Sequence, residues 1–283
     1  MPEKVSVIVT VYDRNELIDR CMESITGQTL SDIEILCISS LEKKNKKCID
    51  DWRSRDSRVS QIDTSLYMTT AEALNAAIDI AGGEYIAFID TDDYYYENNA
   101  LELLADACAK NNTNIAGAGI VEVNMFNADV RTQFDGIYSG YLFEKDGVTE
   151  YREYACDYGY KRFLYRRQFL VDNNILFPPF EYMYDNVFIV RAMVAAGRFA
   201  SVSRVLYAQM APRPVVWTDR VANDILRALS MNLRTAAECD IEGLKTLTIN
   251  RILREYVFII KDHTVPENPE MLDIMAELED IPY

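Results

Sequence analysis

Four apolar runs, "KVSVIVT", "IEILCI", "RVSQI" and "EYIAFI", alternate with segments of helical period, and this alternation constrains the fold more than any other feature. A run without polar interruption suits a strand buried on both faces, which requires helices on both sides of a parallel sheet. The intervening helices are predicted over 15–28, 44–56 and Thr70–Ile80, the first with Leu17, Ile18, Cys21, Met22 and Ile25 on one stripe. Asp13 and Glu16 have the spacing of a capping box at its start. The class is α/β.

Beyond a fourth helix over 98–110 the pattern loosens, and residues 115–150 suit irregular strands and loops. Helices are predicted over 161–173 and 185–196, "FASVSRVLYA" reads as a strand, and three helices follow from Asp219. With 283 residues and 49% hydrophobic content the chain can bury one large core. Its 45 acidic against 29 basic residues give a net charge of −16, which repels polyanions and excludes general nucleic-acid binding. The six cysteines lack zinc-site spacing and are expected as reduced, mostly buried thiols. The sequence has neither the order of a signal peptide nor an apolar run of roughly 20 residues. A cytoplasmic address is expected, with peripheral contact at the inner face of a membrane through a partner.

In "GGEYIAFIDTDDYYYENN" an apolar strand runs straight into Asp90, Asp92 and Asp93. Ligands of open α/β sheets bind beyond the carboxyl ends of strands, so these acids stand where function is expected. Carboxylates this close repel, and a divalent cation such as Mg²⁺ or Mn²⁺ is a natural counter-charge that would also neutralise a departing diphosphate. The other reading is that Asp92 and Asp93 cap the next helix. Asp185, just ahead of the apolar helix "NVFIVRAMVAAG", likewise suits either a general base or an N-cap.

Read together, the segments resemble glycosyltransferase family 2. "VSVIVTVYDRNELIDRCMESITGQTL" is similar to the family's opening strand, turn and helix, "ALNAAIDIAGGEYIAFIDTDD" to its Asn-bearing helix and Asp-x-Asp-Asp motif, and "KRFLYRRQFLVDNNILFPPFEYMYDNVFIVRAMVAAG" to the segment carrying its catalytic carboxylate. The resemblance spans about residues 4–207. It implies a GT-A, Rossmann-like fold, a mostly parallel sheet covered by helices with a C-terminal helical extension. The expected division is 1–210 for the transferase domain, with 1–110 facing the nucleotide-sugar and 111–210 the acceptor, and 211–283 for the extension.

The resemblance further implies an inverting, metal-dependent transferase acting on a nucleotide-diphosphate sugar, a UDP-sugar by preference, and on a glycan or lipid-linked glycan acceptor. Thr10, Tyr12, Ser39, Asn75 and Asp90 would contact the donor, with Tyr12 against the nucleobase. Asp92 and Asp93 would hold the metal, and Asp185 would be the base. The pattern departs from the family at Ser39 and Ser40, where an Asp-Asp-Gly-Ser loop is usual, at Leu74 in place of Arg, and at Tyr184 in place of Glu. These departures keep open a glycosyltransferase-like binding or scaffold protein that transfers nothing. The tail would close the site, form a homo-oligomer or meet a membrane-bound partner. The cations Lys161, Arg162, Arg166 and Arg167 are expected mainly in surface salt bridges, with one of them a candidate for the diphosphate.

Overall fold

A computed structural model describes residues 4–11, 17–39, 43–63, 69–124, 129–134, 136–211 and 215–281. Strand β1 (Val5–Val11) leads through helix α1 (Ile18–Thr26) to β2 (Ile33–Ser39), and the alternation continues with α2 (Lys43–Arg55), β3 (Val59–Asp63), α3 (Thr70–Ile80) and β4 (Tyr85–Asp90). There follow β5 (Tyr94–Tyr95), α4 (Ala100–Asn111), β6 (Ile115–Val123), β7 (Val130–Arg131), β8 (Gly147–Glu150) and α5 (Tyr151–Tyr154). A 3-10 turn (Tyr160–Arg162) precedes β9 (Phe163–Arg166), α6 (Arg167–Asp172), α7 (Tyr184–Ala196) and β10 (Arg198–Met210). The remainder is helical: α8 (Asp219–Glu238), α9 (Glu242–Arg251), a π-helical turn (Ile252–Tyr256), α10 (Val257–His263) and α11 (Pro269–Glu279).

Among the described residues the strands form one sheet in the order β3-β2-β1-β4-β9-β6-β10-β5, with β7 on β6 and β8 on β10. The four apolar runs make its parallel half, and β6 also pairs β10 in parallel. Alternation of side chains places Val5, Val7, Val9, Tyr85, Ala87 and Ile89 in the core under α1, α2 and α4. Ile8, Ile86 and Phe88 belong to the opposite core, under α3 and α7. Both faces of β1 and β4 are thus covered, which explains their unbroken apolar sequence.

One expectation changes. The stretch 161–173 is not one helix, because Phe163–Arg166 forms β9, antiparallel to both β4 and β6. The capping box at Asp13 and Glu16 lies outside the described residues, whereas Thr69 and Glu72 form one at the start of α3.

Gly83 in the link before β4 marks a close approach. A Cβ there would lie 2.6 Å from the Ser6 main-chain nitrogen, and the Gly83 N–H donates to Ser6 Oγ at 2.8 Å. Gly83→Ala must therefore push β4 away from β1, and a loss of about 1–3 kcal/mol is expected in denaturant unfolding.

Candidate active site

The carboxyl edge of the sheet brings several expected residues together. Thr10 is in register with Asp90 across β1 and β4, and Val11 with Ser39 across β1 and β2. Thr10 and Ser39 are buried there, with Ser39 Oγ accepting from Gln61 Nε2 at 3.1 Å. Tyr12 and Ser40 lie outside the described residues. Past β4 the chain turns tightly: Thr91 N donates to Thr10 O at 3.2 Å and Asp93 N to Asp90 O at 3.0 Å. This turn gathers Asp90, Asp92 and Asp93 so that one oxygen of each lies within 4.8 Å of the others. Arg20 braces it, donating from Nη2 to the Asp92 carbonyl at 2.7 Å while its guanidinium lies 4.3 Å from the Tyr94 ring centre.

The three acids have different surroundings. Asp93 is buried and its carboxylate is taken up by protein donors: Oδ1 accepts from Met210 N at 2.9 Å, and Oδ2 from Tyr207 Oη at 2.7 Å and Lys161 Nζ at 2.6 Å. Asp93, expected as a metal ligand, also anchors the turn to β10. Asp90 receives Lys161 Nζ on Oδ2 at 2.7 Å, while its buried Oδ1 has no hydrogen-bond partner among the described residues. Burial, opposed by the Lys161 ammonium and reinforced by the Asp93 charge, pushes Asp90 up to about 6. Asp92 is half-buried. Neither Asp92 nor Asp93 caps the following helix, since α4 starts only at Ala100 after Asn99.

Lys161 is the centre that sequence reading missed. Its position in the 3-10 turn before β9 carries the side chain under the acid cluster, where it is 15% exposed. Burial works against its charge, but Asp90 and Asp93 outweigh that and hold its pKa well above the usual lysine value. Of the neighbouring cations, Arg166 keeps the expected part-exposed salt bridge, whereas Arg162 and Arg167 are committed to main-chain carbonyls. Arg162 is buried and donates to the carbonyls of Ala118, Tyr141 and Gly140, Arg167 donates to the last carbonyls of α3, and Arg166 pairs with Glu84.

Asp185 occupies the first turn of α7 and is not its N-cap; that position belongs to Met183, in a left-handed conformation with φ 55°. Burial raises the Asp185 pKa, and the largest opposing influence is the Lys161 charge. Lys161 is bonded to Asp90 and Asp93. Asn75 does something else. Its Nδ2 donates to Phe177 O and its Oδ1 accepts from Phe177 N, both at 2.9 Å, so the amide clamps α3 to the loop ahead of α7.

The remaining sequence features are structural. Among the described residues none of the six cysteines forms a disulfide, and four of them are buried. His263 pairs with Asp219 at 2.6 Å and ties α10 to α8. No helix among the described residues is long and apolar enough to cross a membrane.

The donor set suits a hard divalent cation. The unpartnered Asp90 Oδ1 and the half-buried Asp92 provide carboxylate oxygens at a sheet edge, and such ions take one or two carboxylates together with phosphate oxygens.

The sequence model described as Glycosyl transferase family 2 matches residues 6–173. The "Uncharacterized glycosyltransferase EpsJ" of Bacillus subtilis (strain 168) is 29% identical over 210 residues, covering 72% of this chain and 60% of that protein. The "UDP-Glc:alpha-D-GlcNAc-diphosphoundecaprenol beta-1,3-glucosyltransferase WfaP" of Escherichia coli is 37% identical over 97 residues, 33% of this chain and 37% of that protein. The chain thus spans less than two thirds of either curated relative. Among solved structures, S. aureus TarS 1-349 in complex with UDP-GlcNAc superposes with a TM-score of 0.74 at 17% identity, covering 99% of this chain and 82% of that one. The likeness to TarS is one of fold.

Proposed function

The chain belongs to glycosyl transferase family 2, and from that premise we propose that it is an inverting, metal-dependent transferase. It moves a sugar from a nucleoside diphosphate to a hydroxyl of a glycan or lipid-linked glycan. The observation that supports this reading is the gathering of Asp90, Asp92 and Asp93 at the carboxyl edge of the sheet, with Lys161 bonded to Asp90 and Asp93. Support for UDP as the nucleotide is that TarS was solved with UDP-GlcNAc and WfaP is named for UDP-Glc; the name of WfaP also supports a lipid-linked acceptor. Such an acceptor fits a cytoplasmic protein working at the inner face of a membrane.

Thr10 and Ser39, together with Tyr12 outside the described residues, would serve the donor within residues 1–110, with 111–210 serving the acceptor and 211–283 the helical extension. Asp90 and Asp92 would hold Mg²⁺ or Mn²⁺, which when bound neutralises charge on the leaving diphosphate. Lys161 adds a fixed positive charge on the same side, and Asp93 keeps the turn in place. Asp185 takes the acceptor proton as the hydroxyl attacks the anomeric carbon opposite the diphosphate, which inverts that carbon.

The test is a screen of nucleotide-sugars, UDP-sugars first, for acceptor-dependent release of the nucleoside diphosphate, with Asp92→Asn and Asp185→Asn alongside. No release with any nucleotide-sugar would contradict the reading and favour a non-transferring scaffold.

A pH dependence follows from the same assignment. Only ionised Asp185 accepts a proton, and burial raises its pKa. Turnover is therefore expected to fall as pH drops through a value above the ordinary aspartate pKa of about 3.9. A kcat profile with no acid limb above that value would contradict it.

A further inference from the structure

Asp185 needs a fixed direction if it is to meet an acceptor hydroxyl, yet it follows an irregular loop and the left-handed Met183. Several contacts that hold this helix start come from the C-terminal helices. Asp224 of α8 accepts from the main-chain nitrogens of Glu181 and Tyr182 through Oδ2, at 2.8 and 3.3 Å. Asn232 of α8 donates to the Asn186 carbonyl at 3.3 Å and lies 3.5 Å from Asp157 Oδ2. Asn186, next to the base, donates to the Asp157 carbonyl at 2.6 Å. Arg251 at the end of α9 places Nη1 2.8 Å from both Asp157 oxygens.

All four members of this node are deeply buried: Asp157, Asn186, Asn232 and Arg251. Around it Met183 and Val187 pack against Ile225, Ala228 and Leu229 of α8. A buried ion pair is a poor source of net stability, since apolar side chains of similar volume often serve as well or better. What fully satisfied hydrogen bonds supply is a single orientation. Asp157 also lies just ahead in the chain of the 3-10 turn that carries Lys161.

Resting on the reading of Asp185 as the base, we propose that helices α8 and α9 are a positioning device for it. Asn232 and Arg251, joined at Asp157, set the orientation of the first turn of α7, and Asp224 fixes the loop that enters it. These are positioning residues and touch no substrate.

The experiment uses the full chain carrying Asn232→Ala or Asp224→Ala, with Asp224→Asn as the conservative control. It reads kcat and donor KM from UDP release, UDP affinity with Mn²⁺, and melting temperature. The expected result is a fall in kcat on the order of 100-fold from misorientation alone, with donor KM and UDP affinity unchanged. Asp224→Asn, which keeps an acceptor oxygen, is expected to restore most of the turnover. Should Asn232→Ala not fold, Asp224→Ala at its half-exposed position carries the test alone. Wild-type kcat in the folded variants, or parallel losses of kcat and UDP affinity, would overturn the proposal. Asp185→Asn separates the two readings: full turnover there defeats the base assignment itself, whereas an inactive Asp185→Asn beside a fully active Asn232→Ala defeats only the positioning role.

Discussion

Asp185→Asn is expected to reduce turnover by about 10²–10⁴-fold, the usual contribution of a positioned acid or base, while UDP binding stays as in the wild type. The substitution conserves shape and removes only the ability to take a proton at neutral pH. Folding should survive it. Met183, not Asp185, is the N-cap of α7, so the helix loses no capping bond, only a favourable charge in its first turn worth about 0.3–1 kcal/mol. Steady-state kinetics with the donor found in the screen, together with calorimetric titration of UDP and Mn²⁺, check both halves. Unchanged turnover would remove Asp185 from the mechanism, and lost UDP binding would mean that it serves the donor.

Lys161→Met is expected to damage both stability and donor binding. It removes the donor held 2.7 Å from Asp90 and 2.6 Å from Asp93, leaving the buried Asp93 and the half-buried Asp90 without their cation. Breaking a buried pair from one side costs about 3–5 kcal/mol. The variant should therefore unfold at lower denaturant concentration than the wild type. Because a ligand of the native state alone adds about 2.7 kcal/mol at a hundredfold excess over its Kd, Mn²⁺ should recover more stability in this variant than in the wild type. Equal stability of the two proteins without metal would show that Lys161 does not balance the acids.

The parts of the fold legible in the sequence are those fixed by local pattern. Thr70–Ile80 is helical within the expected bounds, and β1, β2 and β4 follow from apolar runs that only a doubly covered sheet can bury. The clustering of Asp90, Asp92 and Asp93 followed from their spacing at a strand end. What local pattern does not carry is pairing across the chain. β9 is too short to show a period, and its identity comes from insertion between β4 and β6. For the same reason Lys161 read as one surface cation among four, because its partners lie far back in the sequence at Asp90 and Asp93. The saturation of Asp93 depends on Tyr207 and Met210, and the commitment of Asn75 on Phe177, contacts that no spacing within a motif encodes. The extension was legible as helices, whereas its bond to the core through Asp157 and Arg251 was not.

The central claim is that the acidic turn after β4 shares a divalent cation with the phosphates of a nucleotide. Melting temperature against UDP, with and without Mn²⁺, in the wild type and in Asp92→Asn, tests it most directly. A rise with UDP and Mn²⁺ that Asp92→Asn largely loses is the predicted result. A wild-type melting temperature that no nucleoside diphosphate raises, metal or none, would contradict it.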